Sequence, residues 1–256
     1  MPENQTTDNS KITDSASTTV GQMLERGQLL FENSGLYFGH GTDNSWDEAF
    51  YLLSFVLDLS PDADRSLLEK PLTGQQQQDI EELYARRISE RIPAPYLTGR
   101  AWFCGLPFNV DQRVIIPRSP IAELIMTGFQ PWCASDPARV LDLCTGSGCI
   151  GIACAYGFEE AQVVVSDISP EALEVAASNI ELHKLGYRVN AVESDLFENL
   201  PGQRFDLIVS NPPYVDADDF ASMPEEYFHE PELALASGDD GLDFTRRLLR
   251  EAVDHL

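Results

Sequence analysis

Val140-Leu141-Asp142-Leu143-Cys144-Thr145-Gly146-Ser147-Gly148-Cys149-Ile150-Gly151 reads as an apolar strand, a Gly-x-Gly turn and an apolar helix start. Glycines at such a turn let backbone N–H groups at a helix N-terminus approach a ligand with no side chain in the way. The pattern departs from the full dinucleotide fingerprint, because its third glycine falls at Gly151 and Asp142 precedes the turn. An acid there repels a pyrophosphate and suits the ammonium of an amino acid-like ligand, reached through water. A tight strand-to-helix turn of any α/β protein would look similar, so this stretch fixes the fold class more firmly than the ligand.

Downstream the alternation continues. Strands are expected at about 139–143, 162–167, 188–192 and 205–210, and helices at about 148–156, 170–185 and 241–255. The second strand ends in Asp167, 19 residues after Gly148, where a carboxylate can accept from both hydroxyls of a ribose. Asp167 or Ser169 could equally cap the next helix. The third strand ends at Ser194-Asp195-Leu196-Phe197, an acid and an apolar side chain able to bracket an adenine edge and face. The fourth, Phe205 to Ser210, runs into Asn211-Pro212-Pro213-Tyr214. Each proline forces the residue before it out of the α region, and neither carries an N–H, so the ladder cannot continue. A stiff loop with an amide side chain and free carbonyls is expected at the carboxyl end of that strand, where open α/β sheets bind ligands.

Upstream, residues 1–17 are nearly devoid of apolar side chains and read as a disordered tail. Residues 18–92 carry helical periodicity (Val20, Met23, Leu24 and Phe31; Phe50, Leu53 and Leu57 after a cap at Ser45; Ile80, Leu83 and Tyr84 after a cap at Thr73). Pro93-Ala94-Pro95 ends this domain, and Tyr96 to Ile116 alternates as a β-hairpin turning at Cys104-Gly105-Leu106-Pro107. The hairpin linker thus covers 93–120, and residues 121–256 form the α/β domain.

Forty-two acids against 17 Lys and Arg give a net charge of −25. That disfavours free DNA, whose binding rests on phosphate neutralisation, and suits a basic partner. No apolar run approaches a membrane span of about 20 residues, and the start lacks a signal-peptide pattern. Five cysteines, with no C-x-x-C pair and no zinc spacing, read as reduced core thiols of a cytoplasmic protein without disulfide or metal. Six arginines (86, 87, 91, 100, 113 and 118) stand in 83–118 against Glu90 and Asp111. Pairing with the acidic domain is the expected use, and contact of 83–118 with RNA the alternative. From Val215 to Gly241 there are nine acids and no Lys or Arg, a rim able to steer a basic protein or simply a solvated loop.

Taken together, the Asp142–Gly148 turn, Asp167, Asp195 and the Asn-Pro-Pro-Tyr tetrapeptide resemble Rossmann-like, S-adenosylmethionine-dependent methyltransferases acting on amide or amine nitrogens. The linker stretches Arg91-Ile92-Pro93 to Tyr96-Leu97-Thr98 and Ile115-Ile116-Pro117-Arg118 narrow this to the protein-glutamine methyltransferases. Release-factor enzymes of that family continue Pro-Arg with Pro-Glu-Thr-Glu. Ser119-Pro120-Ile121-Ala122-Glu123, Trp102-Phe103-Cys104-Gly105 and Cys144 to Cys149 are similar instead to the branch acting on large-subunit ribosomal protein L-three.

The resemblance covers about 20–256. It implies a helical substrate-recognition domain and a class I methyltransferase sheet whose last three of seven strands are missing, the catalytic domain being incomplete at its C-terminus. It further implies S-adenosyl-L-methionine held by Asp142, Cys144, Thr145, Gly146, Ser147, Gly148, Asp167, Asp195, Leu196 and Asn211. The substrate would meet Asn211, Pro212, Pro213 and Tyr214. Asn211 Oδ1 and the Pro212 carbonyl would each accept one N–H of a glutamine amide, with Tyr214 over its plane. Two rivals stand beside this reading: an adenine exocyclic-amine methyltransferase of nucleic acids, and an inactive truncated cofactor-binding fragment.

Overall fold

Thr19 and Thr73 start helices by the same device. In each, the threonine hydroxyl accepts the N–H of a glutamine three residues on, and that glutamine's side chain accepts the threonine N–H. The computed structural model describes residues 18–59 and 64–256, so the tail expected over 1–17 lies outside the described residues. Helices α1 (Val20–Glu32), α2 (Ser45–Val56) and α3 (Gly74–Ser89) pack around Met23, Leu24, Phe31, Leu52, Leu53, Ile80 and Tyr84, all at most 1% exposed. The cap of α2 is Asn44, whose side chain accepts Asp47 N–H, and Ser45 is already inside the helix.

The linker differs from its expected form. Pro93-Ala94-Pro95 opens a short helix, α4 (Ala94–Thr98), so Tyr96 to Thr98 are helical. Proline suits the first helical turn, where its missing N–H has no intrahelical acceptor to lose. The hairpin is confined to antiparallel β1 (Arg100–Phe103) and β2 (Leu106–Asn109). After β2 the chain stays irregular through Ile116. Val110, Val114 and Ile116 pack there against Ala172 and Val175 of the α/β domain.

After α5 (Ile121–Met126), the α/β domain contributes β3 (Arg139–Leu143), α6 (Cys149–Gly157), β4 (Gln162–Asp167), α7 (Pro170–Leu182), β5 (Val189–Glu193) and β6 (Leu207–Ser210). These strands form one parallel sheet in the order β5-β4-β3-β6. The chain steps from β3 to β4 to β5 in one direction, then returns to lay β6 against the other side of β3. That reversal lies between β3 and β6, and in open parallel sheets it leaves a crevice at the carboxyl ends of the two strands. One sheet face is covered by α6 with Phe108, Phe129 and Phe158, and the other by Leu196, Phe197, Leu200 and Phe205 with Phe244 and Leu248. α8 (Ala217–Ser222) follows β6, and the expected last helix forms as α9 (Asp243–Ala252). β6 is an edge strand of the described sheet.

Candidate active site

Cys144 follows the end of β3 and Asn211 the end of β6, on either side of the reversal. A cavity of about 230 Å³ opens there, lined among others by Cys144, Gly146, Ser166, Asp167, Asp195, Leu196, Asn211 and Pro213. Four strand ends that lie far apart in sequence are thereby brought to one crevice. Asp167 Oδ2 accepts Gly146 N–H at 2.9 Å and Oδ1 accepts Ser169 N–H at 3.0 Å. Ser169, not Asp167, caps α7. A carboxylate oxygen has two acceptor sites, so each oxygen of Asp167 keeps one for a ligand hydroxyl. Burial raises the Asp167 carboxyl above its ordinary value.

Asp142, Thr145, Ser147 and Gly148 do not line this cavity. Asp142 is fully buried behind the turn, and its Oδ2 accepts from Thr145 Oγ1 and from Gly151 N–H at 2.8 Å. Burial pushes its carboxyl up to about 7, against the pull of those two donors. Gly151 is needed for closeness: a Cβ there would stand 2.4 Å from Val165 Cγ1 and 3.2 Å from Asp142 Cβ. Ser147 lends its carbonyl to Asn179 Nδ2 at 2.8 Å, and Gly148 adopts φ +80 as the cap of α6. These residues build the turn, and Gly146, Cys144 and Asp167 face the cavity.

A second cavity, about 420 Å³, adjoins the first. Its lining includes Tyr37 from the helical domain, Arg118 from the linker, Tyr214 from the tetrapeptide, and Asp219, Met223 and Tyr227 from the loop after it. The two cavities share Ile115, Asn211 and Ala234. Asn211 Oδ1 accepts from Ser119 Oγ at 3.4 Å, and Tyr214 is 64% exposed at the second cavity. Pro213 lines the first cavity, and Pro212 lines neither. The chain leaving the tetrapeptide is pinned, since Tyr214 and Val215 both donate their N–H to Leu235 O. Gly241, at φ +71, lies against it so closely that a Cβ would stand 2.3 Å from Tyr214 O.

Comparisons with known proteins address the same two segments. Residues 123–240 match the methyltransferase small domain, and residues 37–99 match the PrmC N-terminal domain. The ribosomal protein uL3 glutamine methyltransferase of Francisella tularensis is 51% identical over 225 residues, 87% of this chain and 72% of that protein. Its namesake from Neisseria gonorrhoeae is 48% identical over 241 residues, 93% of this chain and 80% of that protein. The chain belongs to the ribosomal protein uL3 glutamine methyltransferase family. Among solved structures, hMettl16 catalytic domain in complex with MAT2A 3'UTR hairpin 6 is similar over 71% of this chain and 63% of that one. The identity is 14% and the TM-score 0.46.

Membership of a methyltransferase family implies use of S-adenosylmethionine, and polar atoms at the crevice are free for such a ligand. Ser166 Oγ, in the cavity wall, and Asp142 Oδ1, behind the turn, are buried without a hydrogen-bond partner. Ser166 Oγ and the free acceptor sites of Asp167 fit the polar groups of such a ligand, whereas Asp142 braces the turn from behind. Asp195 pairs with Arg247 of α9 at 3.0 Å, and Arg247 and Phe244 join the cavity wall. Neither residue stands out in the sequence, because α9 follows the tetrapeptide by about thirty positions and carries no motif. Cysteine chemistry is disfavoured by burial, which pushes the Cys144 thiol far up and the Cys149 thiol to about 12. Among the described residues no cluster of three or more His, Cys, Asp or Glu is arranged to hold a metal ion.

The acidic loop of this methyltransferase has a second use that its composition hides. Glu230 accepts from both Arg118 guanidinium nitrogens at 2.6 Å and from Ile116 N–H at 2.9 Å. Glu226 accepts Tyr37 N–H at 2.9 Å and pairs with Arg87 at 3.4 Å and Arg91 at 2.9 Å. Arg87 also pairs with Glu48 inside the helical domain. Two of the nine loop acids are therefore interior anchors that tie the wall of the second cavity to helical domain and linker. Of the six arginines, Arg100 is the one without an ion pair among the described residues.

Proposed function

We propose that this chain transfers a methyl group from S-adenosyl-L-methionine to the side-chain amide nitrogen of a glutamine in ribosomal protein uL3. The observation that carries the reading is the meeting of two cavities at Asn211, one walled by strand ends and the other by tetrapeptide, linker and helical domain. The substrate follows from the relatives' names at about half identity over most of the chain.

When bound, S-adenosylmethionine supplies an electrophilic methyl carbon on a sulfonium. Asp167 would accept from the ribose hydroxyls, Asp195 and Leu196 would bracket the adenine, and the glycine turn, braced from behind by Asp142, would receive the amino-acid end together with Ser166. The glutamine amide is a poor nucleophile, because its lone pair is delocalised into the carbonyl. Asn211 Oδ1, at the wall the cavities share, and the carbonyl of its neighbour Pro212 would accept its two N–H groups and fix the nitrogen. Positive charge would grow on that nitrogen as the N–C bond forms and the methyl–sulfur bond breaks, leaving a neutral thioether, and two acceptors at fixed positions favour it. Tyr214 covers the amide plane. One proton leaves the nitrogen afterwards, so no strong base is required.

Asn211→Ala removes one acceptor and leaves the adenine and ribose contacts. Calorimetry should find cofactor affinity within about threefold of wild type, while transfer to uL3 falls by at least about a hundredfold, the scale of losing one preorganised partner. Loss of cofactor affinity alongside transfer would assign Asn211 to cofactor binding instead.

A further inference from the structure

A groove of about 560 Å³ runs between α2 and the hairpin linker, outside both cavities described above. Phe50, Phe55 and Trp102 line it, Phe55 40% and Trp102 36% exposed, together with the carboxylates of Asp43 and Asp47. Among the described residues neither acid makes an ion pair, and Asp47 Oδ2 accepts from the Asn44 amide at 2.8 Å. Ser54, 9% exposed, also lines the groove, and its buried Oγ has no hydrogen-bond partner. Aromatic faces beside unpaired carboxylates match a Lys or Arg side chain, whose stem packs on a ring while its charge meets the acid. The protein already shows one such contact there: the Arg100 guanidinium lies 6.0 Å from the Phe55 ring centre.

We propose that this groove is a second contact site for the substrate protein, taking a Lys- or Arg-bearing segment remote from the target glutamine. This rests on the methyl-transfer reading above. The occupant is a basic ribosomal protein because the groove offers acids and aromatic faces on a chain of net charge −25. Its position agrees. Ile116 and Pro117 line the groove, and their neighbours Ile115 and Arg118 line the cavity beside Asn211. One four-residue stretch thus separates the two, and a substrate seated at Asn211 has the groove within reach of its flanking chain. Two contacts of this kind raise affinity for the whole protein without touching the reacting amide.

The test is calorimetric binding of purified uL3, without cofactor, to wild type, to Asp43→Asn/Asp47→Asn, and to a control. The control, Glu25→Gln/Glu69→Gln, removes the same charge from exposed positions elsewhere. Thermal melts establish that all three are folded. The groove variant should bind about five- to tenfold more weakly, as for two partly exposed ion pairs, and the control within about twofold. Transfer to a short free peptide bearing the target glutamine should be equal in all three. Equal weakening of both variants assigns the effect to overall charge and overturns the proposal, as does unchanged binding of the groove variant. Binding of uL3 without methyl transfer by the wild type counts against the catalytic reading, and the binding comparison still decides the groove.

Discussion

Asp142 illustrates what a residue's type reveals and what its surroundings decide. As an acid before a glycine turn it was legible as a ligand-side group, and the resemblance gave it a cofactor role. Its burial was not legible, because that depends on α6 closing over β3 with Gly151 against Val165. That Asn211, Asp167 and Asp195 line one crevice was easier to read, since each stands at or just after the end of a strand. Burial has a measurable consequence at Asp142. The folded carboxyl sits at about 7, against an unfolded value near 4. The folded state holds the proton more tightly, so the stabilisation is complete below about pH 4 and is lost as pH rises through about 7. Asp142→Asn should abolish this loss: the melting temperature of the variant relative to wild type should rise between about pH 5 and about pH 8. A difference that stays flat with pH would show that Asp142 is charged in the folded protein.

At the scale of elements, strands and long helices were readable because their apolar patterns are local and strong. The linker was less so: alternation after Pro95 suggested a strand from Tyr96, whereas Pro93 at the N-cap and Pro95 in the first turn favour α4. The acidic loop was readable only as charge. Its fixation comes from arginines more than a hundred positions upstream, a pairing no local pattern encodes. Burial alone would push the Glu230 carboxyl up, yet His40 and Arg118 outweigh it and hold it at about 2. The unfolded group titrates near 4.5, so this stabilisation is present above that pH and lost as pH falls toward about 2. Glu230→Gln should cost about 2–3 kcal/mol in urea unfolding at neutral pH. That is less than severing a fully buried pair, because Gln retains an acceptor and Arg118 reaches solvent. A change below about 0.5 kcal/mol would mean that the loop is held by its apolar contacts.

For the whole molecule, the net charge was plain in the sequence and its division was not. Glu226 and Glu230 are interior, Glu225 pairs with Arg91 and Asp240 with Arg246, whereas Asp218 and Asp219 face solvent. Any steering of a basic substrate therefore falls to a subset of the acidic rim together with the groove acids. Raising salt from about 0.05 M to about 0.5 M shortens the screening distance roughly threefold, so the association rate with uL3 should drop at least about fivefold. Stopped-flow rates that are independent of salt would exclude steering. The strand order was equally hidden, because pairing of β6 with β3 joins residues almost seventy positions apart. That one pairing creates the crevice on which the site depends.

The meeting of the two cavities at three residues also bears on the order of events in a catalytic cycle. Each chamber keeps its own walls apart from Ile115, Asn211 and Ala234. On the proposed reading, cofactor and protein would occupy separate chambers, and the expected kinetic order is random addition through a ternary complex, checked by initial-rate and product-inhibition patterns.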